Sequence, residues 1–218
     1  MQESTSREKV LKAIRDALVN PMHLQGERED YADTIYTRKN EEFIEVCFAE
    51  SLAEANAGFI YNSNIQELIQ NLSSLLQSRE INNLFCFDTE IQSILQKGEI
   101  DYFDQNDQYK CCEAAITSCE FLIARLGSIM VSSAQGWGRK GIIYPPVQIV
   151  VATRDQLVYD IHHAFDALKK KYPHGIPSMV SLVTGPSRTA DIEKTLVLGA
   201  HGPESLYVCL LDSTQEDE

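Results

Sequence analysis

The apolar segment from Val147 to Thr153, VQIVVAT, limits the possible folds of this chain more than any other feature. It has the length of a strand and follows Pro145 and Pro146. An apolar run of this length is typical of a strand that is buried on both faces, and such strands belong to parallel sheets with helices on both sides. The segment therefore predicts a strand inside a parallel sheet.

Helical and strand patterns alternate in the residues before this segment. Predicted helices at 41–56, 63–79 and 89–97 alternate with predicted strands at 58–61 and 83–87. Alternation at these distances is typical of βαβ units. The expected fold class is therefore α/β, with a mainly parallel sheet between two layers of helices.

The remaining apolar stretches predict further strands. These strands are expected at 113–118, 120–133, 178–183 and 206–211. Gly127 and Ser128 indicate a hairpin within the second stretch. Asp155 is expected to cap a helix whose apolar face includes Leu157 and Val158. A loop and a short helix are expected to follow the strand at 178–183.

Two segments are expected to lie outside this α/β domain. Residues 6–19 carry apolar residues at helical spacing after a capping box of Thr5 and Glu8, which predicts an amphipathic helix. Residues 21–40 are polar and without period, which predicts an arm. The predicted organisation is an N-terminal helix and arm at 1–40, an α/β domain at 41–212 and a disordered acidic tail at 213–218.

The formal charge of -13 restricts the classes of partner. Proteins that bind nucleic acid or anionic membranes normally carry a basic face, so the charge argues against both partners. Residues 1–110 contain 20 acidic and 10 basic residues, while 111–218 contain 12 and 9. Any site for a small anion is therefore expected in the second half of the chain.

The cysteines and the hydropathy pattern indicate a cytoplasmic protein. None of the six cysteines forms a CxxC pair, no N-terminal signal segment is visible, and reduced thiols are expected. No apolar run approaches the roughly 20 residues that a membrane-spanning helix needs. Adjacent Cys111 and Cys112, with Cys119, do not have the spacing of a metal site, and no metal site is predicted.

The segment from Thr184 to Pro203, TGPSRTADIEKTLVLGAHGP, carries the strongest candidate chemistry. It follows a predicted parallel strand, and α/β sheets bind ligands at the carboxyl ends of such strands. Free backbone amides together with Arg188 would attract a carboxylate or phosphate. In the competing interpretation, Arg188 pairs internally with Asp191 and Glu193 and only stiffens the loop. The residues leave both interpretations open.

Three other patterns receive little functional weight. His201 lies in a glycine-rich turn, where a ligand contact and a backbone hydrogen bond are both possible. The GxGxxG pattern that starts at Gly136 is followed by IIYPP rather than a helix, so it predicts a basic loop with Arg139 and no nucleotide site. Ser187, His201 and Asp191 lack the GxSxG frame of a nucleophilic serine. Glu113 and Glu120 are interpreted as strand-edge carboxylates.

The stretch GPSRTADIEKTLVLGAHGP closely resembles the C-terminal signature of the lactate-utilisation protein C family, also called LUD-domain proteins. The resemblance extends upstream through CEFLIARLGSIMVSS, Gly138-Arg139 and Pro145-Pro146, and it covers residues 111–211. It implies a fold of the NagB/RpiA/CoA-transferase-like group. It also implies a role in oxidation of L-lactate to pyruvate beside two other components, one of them rich in iron–sulfur motifs. No cofactor is expected on this chain.

Three positions depart from the family pattern. Many members have AETGT where this chain has Ala124-Arg-Leu-Gly-Ser128, so Arg125 replaces a carboxylate and Leu126 replaces a threonine. Many also have a histidine where Gln148 stands. If those polar groups serve catalysis in relatives, the resemblance implies that this chain has altered or lost it.

Three functional hypotheses follow. The preferred one is an accessory or regulatory component of lactate oxidation that binds a small anion or partner subunits. The alternatives are an enzyme acting on a nucleotide or acyl-CoA-like anion, with Arg188 as clamp and His201 as acid or base, and a stand-alone ligand-binding module. The candidate ligand-binding residues are Gly127, Ser128, Arg139, Gly185, Ser187, Arg188, Thr189, Asp191, Glu193, Gly199, His201 and Gly202.

Overall fold

A five-stranded parallel sheet organises the domain, and the segment Val147–Thr153 forms its central strand. The structure is a computed structural model that describes residues 44–105, 111–136, 144–192, 195–198 and 202–212. The predicted helix at 6–19, the arm at 21–40 and the tail at 213–218 lie outside the described residues, so these predictions stay untested.

The described elements alternate much as the sequence predicts. The helices are α1 (Ile44–Glu54), α2 (Ile65–Ser78), α3 (Thr89–Lys97) and α4 (Ile161–Lys171). The strands are β1 (Gly58–Asn62), β2 (Leu84–Cys86), β3 (Ala114–Thr117), β4 (Phe121–Ile123), β5 (Ser128–Ser132), β6 (Val147–Thr153), β7 (Leu157–Val158), β8 (Val180–Val183), β9 (Arg188–Ile192), β10 (Thr195–Leu198) and β11 (Ser205–Leu211).

The strand order of the main sheet is β1-β11-β6-β3-β2, and every neighbouring pair is parallel. Strand β6 is paired along its whole length with β11 and along its first half with β3. Its residues from Gln148 to Ala152 are buried. The prediction of a strand buried within a parallel sheet is confirmed.

Helices cover both faces of this sheet, which confirms the expected α/β/α arrangement. On one face α2 and α3 pack through Leu68, Leu72 and Leu95, among others, against Ile116 and Ile149 of the sheet. The other face packs against α1 and a second sheet. Beyond that second sheet lies α4.

The second sheet has the strand order β7-β4-β5-β8. Strands β4 and β5 form the antiparallel hairpin predicted at Gly127 and Ser128. Strand β8 pairs antiparallel with β5, so it does not belong to the parallel sheet. The expectation that Thr184 follows a parallel strand at its carboxyl end is therefore wrong.

The start of α4 also differs from the prediction. Thr153 and Gln156 form a capping box around a single 3-10 turn, and Leu157 and Val158 then pair with β4. The helix begins at Ile161 with Asp160 as its N-cap, not Asp155. Two capping residues, Thr153 and Asp160, lie within eight residues of each other. The apolar pair Leu157–Val158 between them pairs with the edge of β4 instead of joining the helix.

The short helix predicted after the Thr184 loop is replaced by the antiparallel pair β9 and β10. Threonine, valine and isoleucine in these strands favour extended backbone over helix, whereas the hydroxyl and carboxylate groups had suggested helix caps. Over the described residues, no helix combines the length and apolar character needed to span a membrane.

The first turn of α2 offers a direct test of the local fold. The Asn64 side chain accepts a hydrogen bond from the Glu67 N–H at 2.9 Å, which satisfies one otherwise free helix donor. Asn64→Ala is expected to lower the free energy of unfolding by about 0.5–2 kcal/mol in urea denaturation. Ser74→Ala, on the exposed face of the same helix, serves as control; an equal loss in both variants would contradict the capping role.

Candidate functional site

Two loops of the signature segment meet at the end of α1. Gly185 has a φ of +75°, and a Cβ there would lie 2.4 Å from the carbonyl oxygen of Ala55. The Ser187 N–H donates to the Pro203 carbonyl at 2.8 Å, and Gly202 packs against the Ser187 side chain. The residues on either side of β9 and β10 are thus neighbours at this point of the fold.

The predicted hairpin turn at Gly127 and Ser128 lies at the same place. Gly127 has a φ of +57°, and a Cβ there would lie 2.5 Å from the backbone of Ser51 and Leu52 in α1. The Ser128 and Thr184 hydroxyl groups lie 2.6 Å apart and share a hydrogen bond. We call this group the signature cluster; it comprises Gly127, Ser128, Thr184, Gly185, Ser187, Arg188, Gly202 and Pro203.

The Arg188 side chain in this cluster is bound to the protein backbone. Its Nη2 donates to the Ala55 carbonyl oxygen at 3.3 Å, and the side chain is exposed. Arginine at this position can satisfy a carbonyl that the last turn of α1 leaves free. The contact thus anchors the signature segment to α1, although the exposed guanidinium keeps other donors for a further partner.

The remaining predicted site residues fall into two groups. Thr189 and Asp191 lie in β9, and only their backbone is described. Arg139, Glu193, Gly199 and His201 lie outside the described residues. The competing interpretation, in which Arg188 pairs with Asp191 and Glu193, and a role for His201 therefore stay untested.

The signature cluster lies at the amino end of the parallel sheet. Gly202 and Pro203 lead into β11, and the Glu204 N–H donates to the carbonyl of Pro146, just before β6, at 2.7 Å. This position is opposite to the carboxyl end, where α/β sheets usually bind ligands. The positional argument for a ligand at the signature loops is thus overturned.

Arg125, one of the departures from the family pattern, is held by an ion pair. Its Nε and Nη2 bind the two Asp160 carboxylate oxygens at 2.8 and 3.0 Å. Burial alone would raise the pKa of Asp160, but hydrogen bonds from Arg125 and from the Ile161 N–H outweigh it and the pKa lies below its usual range. Arg125 therefore connects the turn after β4 to the N-cap of α4.

The other two departures lie in packing positions, where Leu126 is half-buried and Gln148 is buried. Leu126 packs against the cluster of Ile123, Met130 and Ala164 under α4. Gln148 is only 2% exposed and its Nε2 donates to the Thr117 hydroxyl at 2.7 Å. Its Oε1 has no hydrogen-bond partner among the described residues. The amide thus keeps a polar atom in the space between the two sheets.

A cavity that the sequence did not predict opens at the carboxyl end of the parallel sheet. It has a volume of about 380 Å³ and lies beside the ends of β3, β6 and β11 and the first turns of α3. We call it the carboxyl-end cavity. Its lining consists of Asp88, Glu90, Ile91, Ile94, Ser118, Glu120, Phe121, Val151, Ala152, Thr153, Asp155, Gln156, Lys171 and Leu211.

Glu120 is the most deeply buried ionisable group of this cavity. Its side chain has no exposed area, and the interpretation as a strand-edge carboxylate is wrong. Oε1 accepts hydrogen bonds from Ser132 Oγ at 2.5 Å and Tyr172 Oη at 2.9 Å, and Oε2 accepts one from Lys171 Nζ at 2.7 Å. A buried carboxylate needs such partners because it has lost its water.

Glu120 changes the titration of the groups around it. Burial would lower the pKa of Lys171, but the hydrogen bond to Glu120 outweighs it and the pKa is raised. Burial and the hydrogen bond to Glu120 both raise the pKa of Tyr172. Burial, helped by the charge of Glu120, raises the pKa of the Cys119 thiol. Lys171 is therefore an ammonium at neutral pH, beside a neutral phenol and a neutral thiol.

The opposite side of the cavity is also fixed by hydrogen bonds. Asp88 caps α3 by accepting from the Glu90 N–H at 3.2 Å and also accepts from the Ser118 hydroxyl. Gln135 Nε2 donates to Ser118 Oγ at 3.2 Å. Glu113, in contrast, accepts from the Asn82 and Asn83 N–H groups outside the cavity. Within the described ranges, no three His, Cys, Asp or Glu side chains converge as metal ligands would.

The contact of Gly185 with α1 predicts a large effect of a single methyl group. Gly185→Ala is expected to lower the free energy of unfolding by at least about 1–3 kcal/mol, because alanine resists a positive φ and its Cβ meets the Ala55 carbonyl. Denaturant unfolding measures the loss. Gly136→Ala is the control, since a Cβ there makes only ordinary contacts with Phe87. Equal stability of the two variants would argue against the close approach.

The Arg125–Asp160 pair predicts a dependence of stability on pH. Because the pKa of Asp160 is lowered in the folded protein, its contribution is complete above the unfolded value of 3.8 and is lost as the pH falls through the folded value. Asp160→Asn should therefore be less stable than the wild type at pH 7, and the difference should shrink below pH 3.8. Urea unfolding at several pH values tests this.

Asp166→Asn is the matched control for this experiment, because Asp166 pairs with Lys169 on the exposed surface of α4. Its effect on stability should be small at every pH and moderate salt. A stability difference for Asp160→Asn that does not change with pH would show that the ion pair is not its source.

Comparison with known proteins agrees with this architecture. Residues 32–211 match the model of the LUD domain. A solved structure of a DUF162 family protein from Deinococcus radiodurans superposes with a TM-score of 0.59 over 80% of this chain and 99% of that chain, at 18% identity. This likeness supports the fold.

Several relatives share parts of the sequence. Lactate utilization protein C of Halalkalibacterium halodurans is 25% identical over 168 residues, which are 70% of this chain and 73% of that protein. The Bacillus subtilis protein of the same name is 32% identical over 100 residues, 44% of this chain and 42% of that one. An uncharacterized protein of Neisseria meningitidis is 32% identical over 121 residues, 56% and 51% of the two chains.

The chain thus spans about half the length of several relatives that it matches. The family model, in contrast, covers most of this chain and includes the parallel sheet, the signature cluster and the carboxyl-end cavity. The chain therefore belongs to the LUD domain family.

Proposed function

We propose that this protein takes part in L-lactate utilisation as an accessory or regulatory component of lactate oxidation. Membership of the LUD domain family and the relatives named lactate utilization protein C support the pathway. In this proposal the oxidation itself belongs to partner proteins that contain iron–sulfur groups, as the family resemblance implies. This chain binds them or a small anion.

One observation supports the accessory role most directly: side chains of the signature cluster contact other parts of the protein itself. Gly185 and Arg188 contact the Ala55 carbonyl, and Ser128 and Thr184 use their hydroxyl groups on each other. Groups that bind each other are less available to hold a substrate. The described part of the cluster therefore favours a role in shaping a surface over a role in chemistry.

The departures from the family pattern support the same role. Arg125 stands where many members carry a carboxylate, and its guanidinium binds Asp160. Leu126 is packed under α4. Neither side chain offers a group that could donate or accept a proton at neutral pH.

The proposal includes a cytoplasmic location, because the state of the cysteines is compatible with a reducing compartment. None of the six forms a disulfide within the described structure. Burial raises the pKa of Cys86 and Cys209 to about 12, so these thiols stay protonated and unreactive. Unpaired thiols of this kind are typical of proteins from reducing compartments.

Assay of the purified protein and of the host tests the accessory role. The purified chain should not oxidise L-lactate with an artificial electron acceptor. Deletion of its gene should reduce growth on lactate, and the wild-type gene should restore it. The tagged protein should co-purify with iron–sulfur subunits.

Arg188→Ala separates this proposal from the enzyme hypothesis, with Lys97→Ala as an exposed control. Turnover of lactate or of an acyl-CoA by the purified wild type, abolished in Arg188→Ala but not in Lys97→Ala, would overturn the accessory role. Arg188→Lys and a thermal melt show whether a loss comes from unfolding. Saturable anion binding with neither turnover nor partners would support the ligand-binding module instead.

A further inference from the structure

We propose that the carboxyl-end cavity binds a small organic cation, an amine or guanidine with a short apolar body, and disfavours lactate and other small anions. The proposal concerns a different site from the signature cluster. It does not depend on the proposed role in lactate utilisation, and either can fail without the other.

The position and size of the cavity fit a ligand site. It lies at the carboxyl end of β3, β6 and β11, where open α/β sheets place ligands. Its volume of about 380 Å³ falls within the usual range for small-molecule sites, roughly 300–1,000 Å³. The site is therefore large enough for a small metabolite.

The charge of the cavity lining favours a positively charged ligand. Four carboxylates face the cavity, from Asp88, Glu90, Glu120 and Asp155, whereas Lys171 is the one cation among the described residues of its lining. Lys171 is already matched by Glu120 at 2.7 Å. An anion would meet the other three carboxylates, which no further described cation of the lining balances, and a cation would be attracted by them.

The rim carboxylates are available to a ligand. Glu90 and Asp155 are exposed, and neither side chain has a hydrogen bond or ion pair with another described residue. Deeper in the cavity, the enclosed Glu120 side chain uses its oxygens on Ser132, Lys171 and Tyr172. A ligand N–H group thus finds its acceptors at the rim.

A hydrogen-bond network holds the inner wall of the cavity in place. Ser132 and Tyr172 orient Glu120, and Ser118 together with the first turn of α3 orients Asp88. Because these groups are ordered before a ligand arrives, less conformational entropy is lost on binding.

The walls favour an organic cation over a metal ion. Apolar side chains of Ile91, Ile94, Phe121, Val151 and Leu211 share the lining with the carboxylates. Within the described residues no three potential ligands converge on one point, as a metal ion would require. A diffuse negative charge beside apolar walls suits an ammonium or guanidinium group with a hydrocarbon chain.

The test compares probes of equal shape and opposite charge. Binding of n-butylamine, n-butyrate, L-lactate and magnesium chloride to the full chain is followed by calorimetry, and the site is located from amide chemical shifts of Ser118 and Thr153. We expect saturable binding of n-butylamine at these residues and none of n-butyrate or L-lactate. Equal or stronger binding of either anion there would overturn the proposal, as would preferential binding of magnesium.

Charge-neutralising variants at the rim of the cavity provide a second test of the proposal. Glu90→Gln and Asp155→Asn should each weaken n-butylamine binding roughly twofold to fivefold, the range of a solvent-exposed ion pair. Glu54→Gln removes one exposed carboxylate from α1, outside the cavity, and should leave the affinity unchanged. Because both rim residues are exposed, their variants should fold. Equal effects of rim and control variants, or no saturable binding at millimolar concentration, would also refute the site.

Discussion

The burial of β6 is the constraint on which the rest of the structure depends. A strand covered on both faces must satisfy its backbone groups with neighbouring strands, because water cannot reach them. Here β11 and β3 supply those partners, α2 and α3 cover one face, and α1 with the second sheet covers the other. The placement of both candidate sites follows, since one lies at each end of the parallel strands.

Local signals in the sequence predicted much of this arrangement. α3 begins at Thr89 and ends at Lys97 as expected, because Asp88 and Gly98 mark its limits and its apolar spacing is regular. β6 also has its predicted bounds. The strand at β8 was predicted, but its partner was not, since an apolar strand fits a parallel or an antiparallel neighbour equally well. That error placed the signature cluster at the wrong end of the sheet.

The sequence likewise indicated some features of the candidate sites and not others. Glycines at Gly127 and Gly185 could be recognised as turn residues, and the structure adds that both approach the backbone of α1. Glu120 could not be assigned, because its partners Lys171 and Tyr172 lie 51 and 52 residues further along the chain. A carboxylate within an apolar stretch indicates that the group is buried beside a hydrogen-bond or charge partner, but the sequence does not identify that partner. The family signature and the cavity are thus separate features of one fold.

The position of β11 has a consequence for how the sheet assembles. It comes after every other strand of the parallel sheet in chain order, yet it lies between β1 and β6. Until residues 205–211 have been synthesised, β1 lacks its partner and one edge of β6 stays open. Unpaired edges of this kind are where nascent chains associate wrongly. Pairing of β1 with the rest of the parallel sheet therefore has to wait for β11.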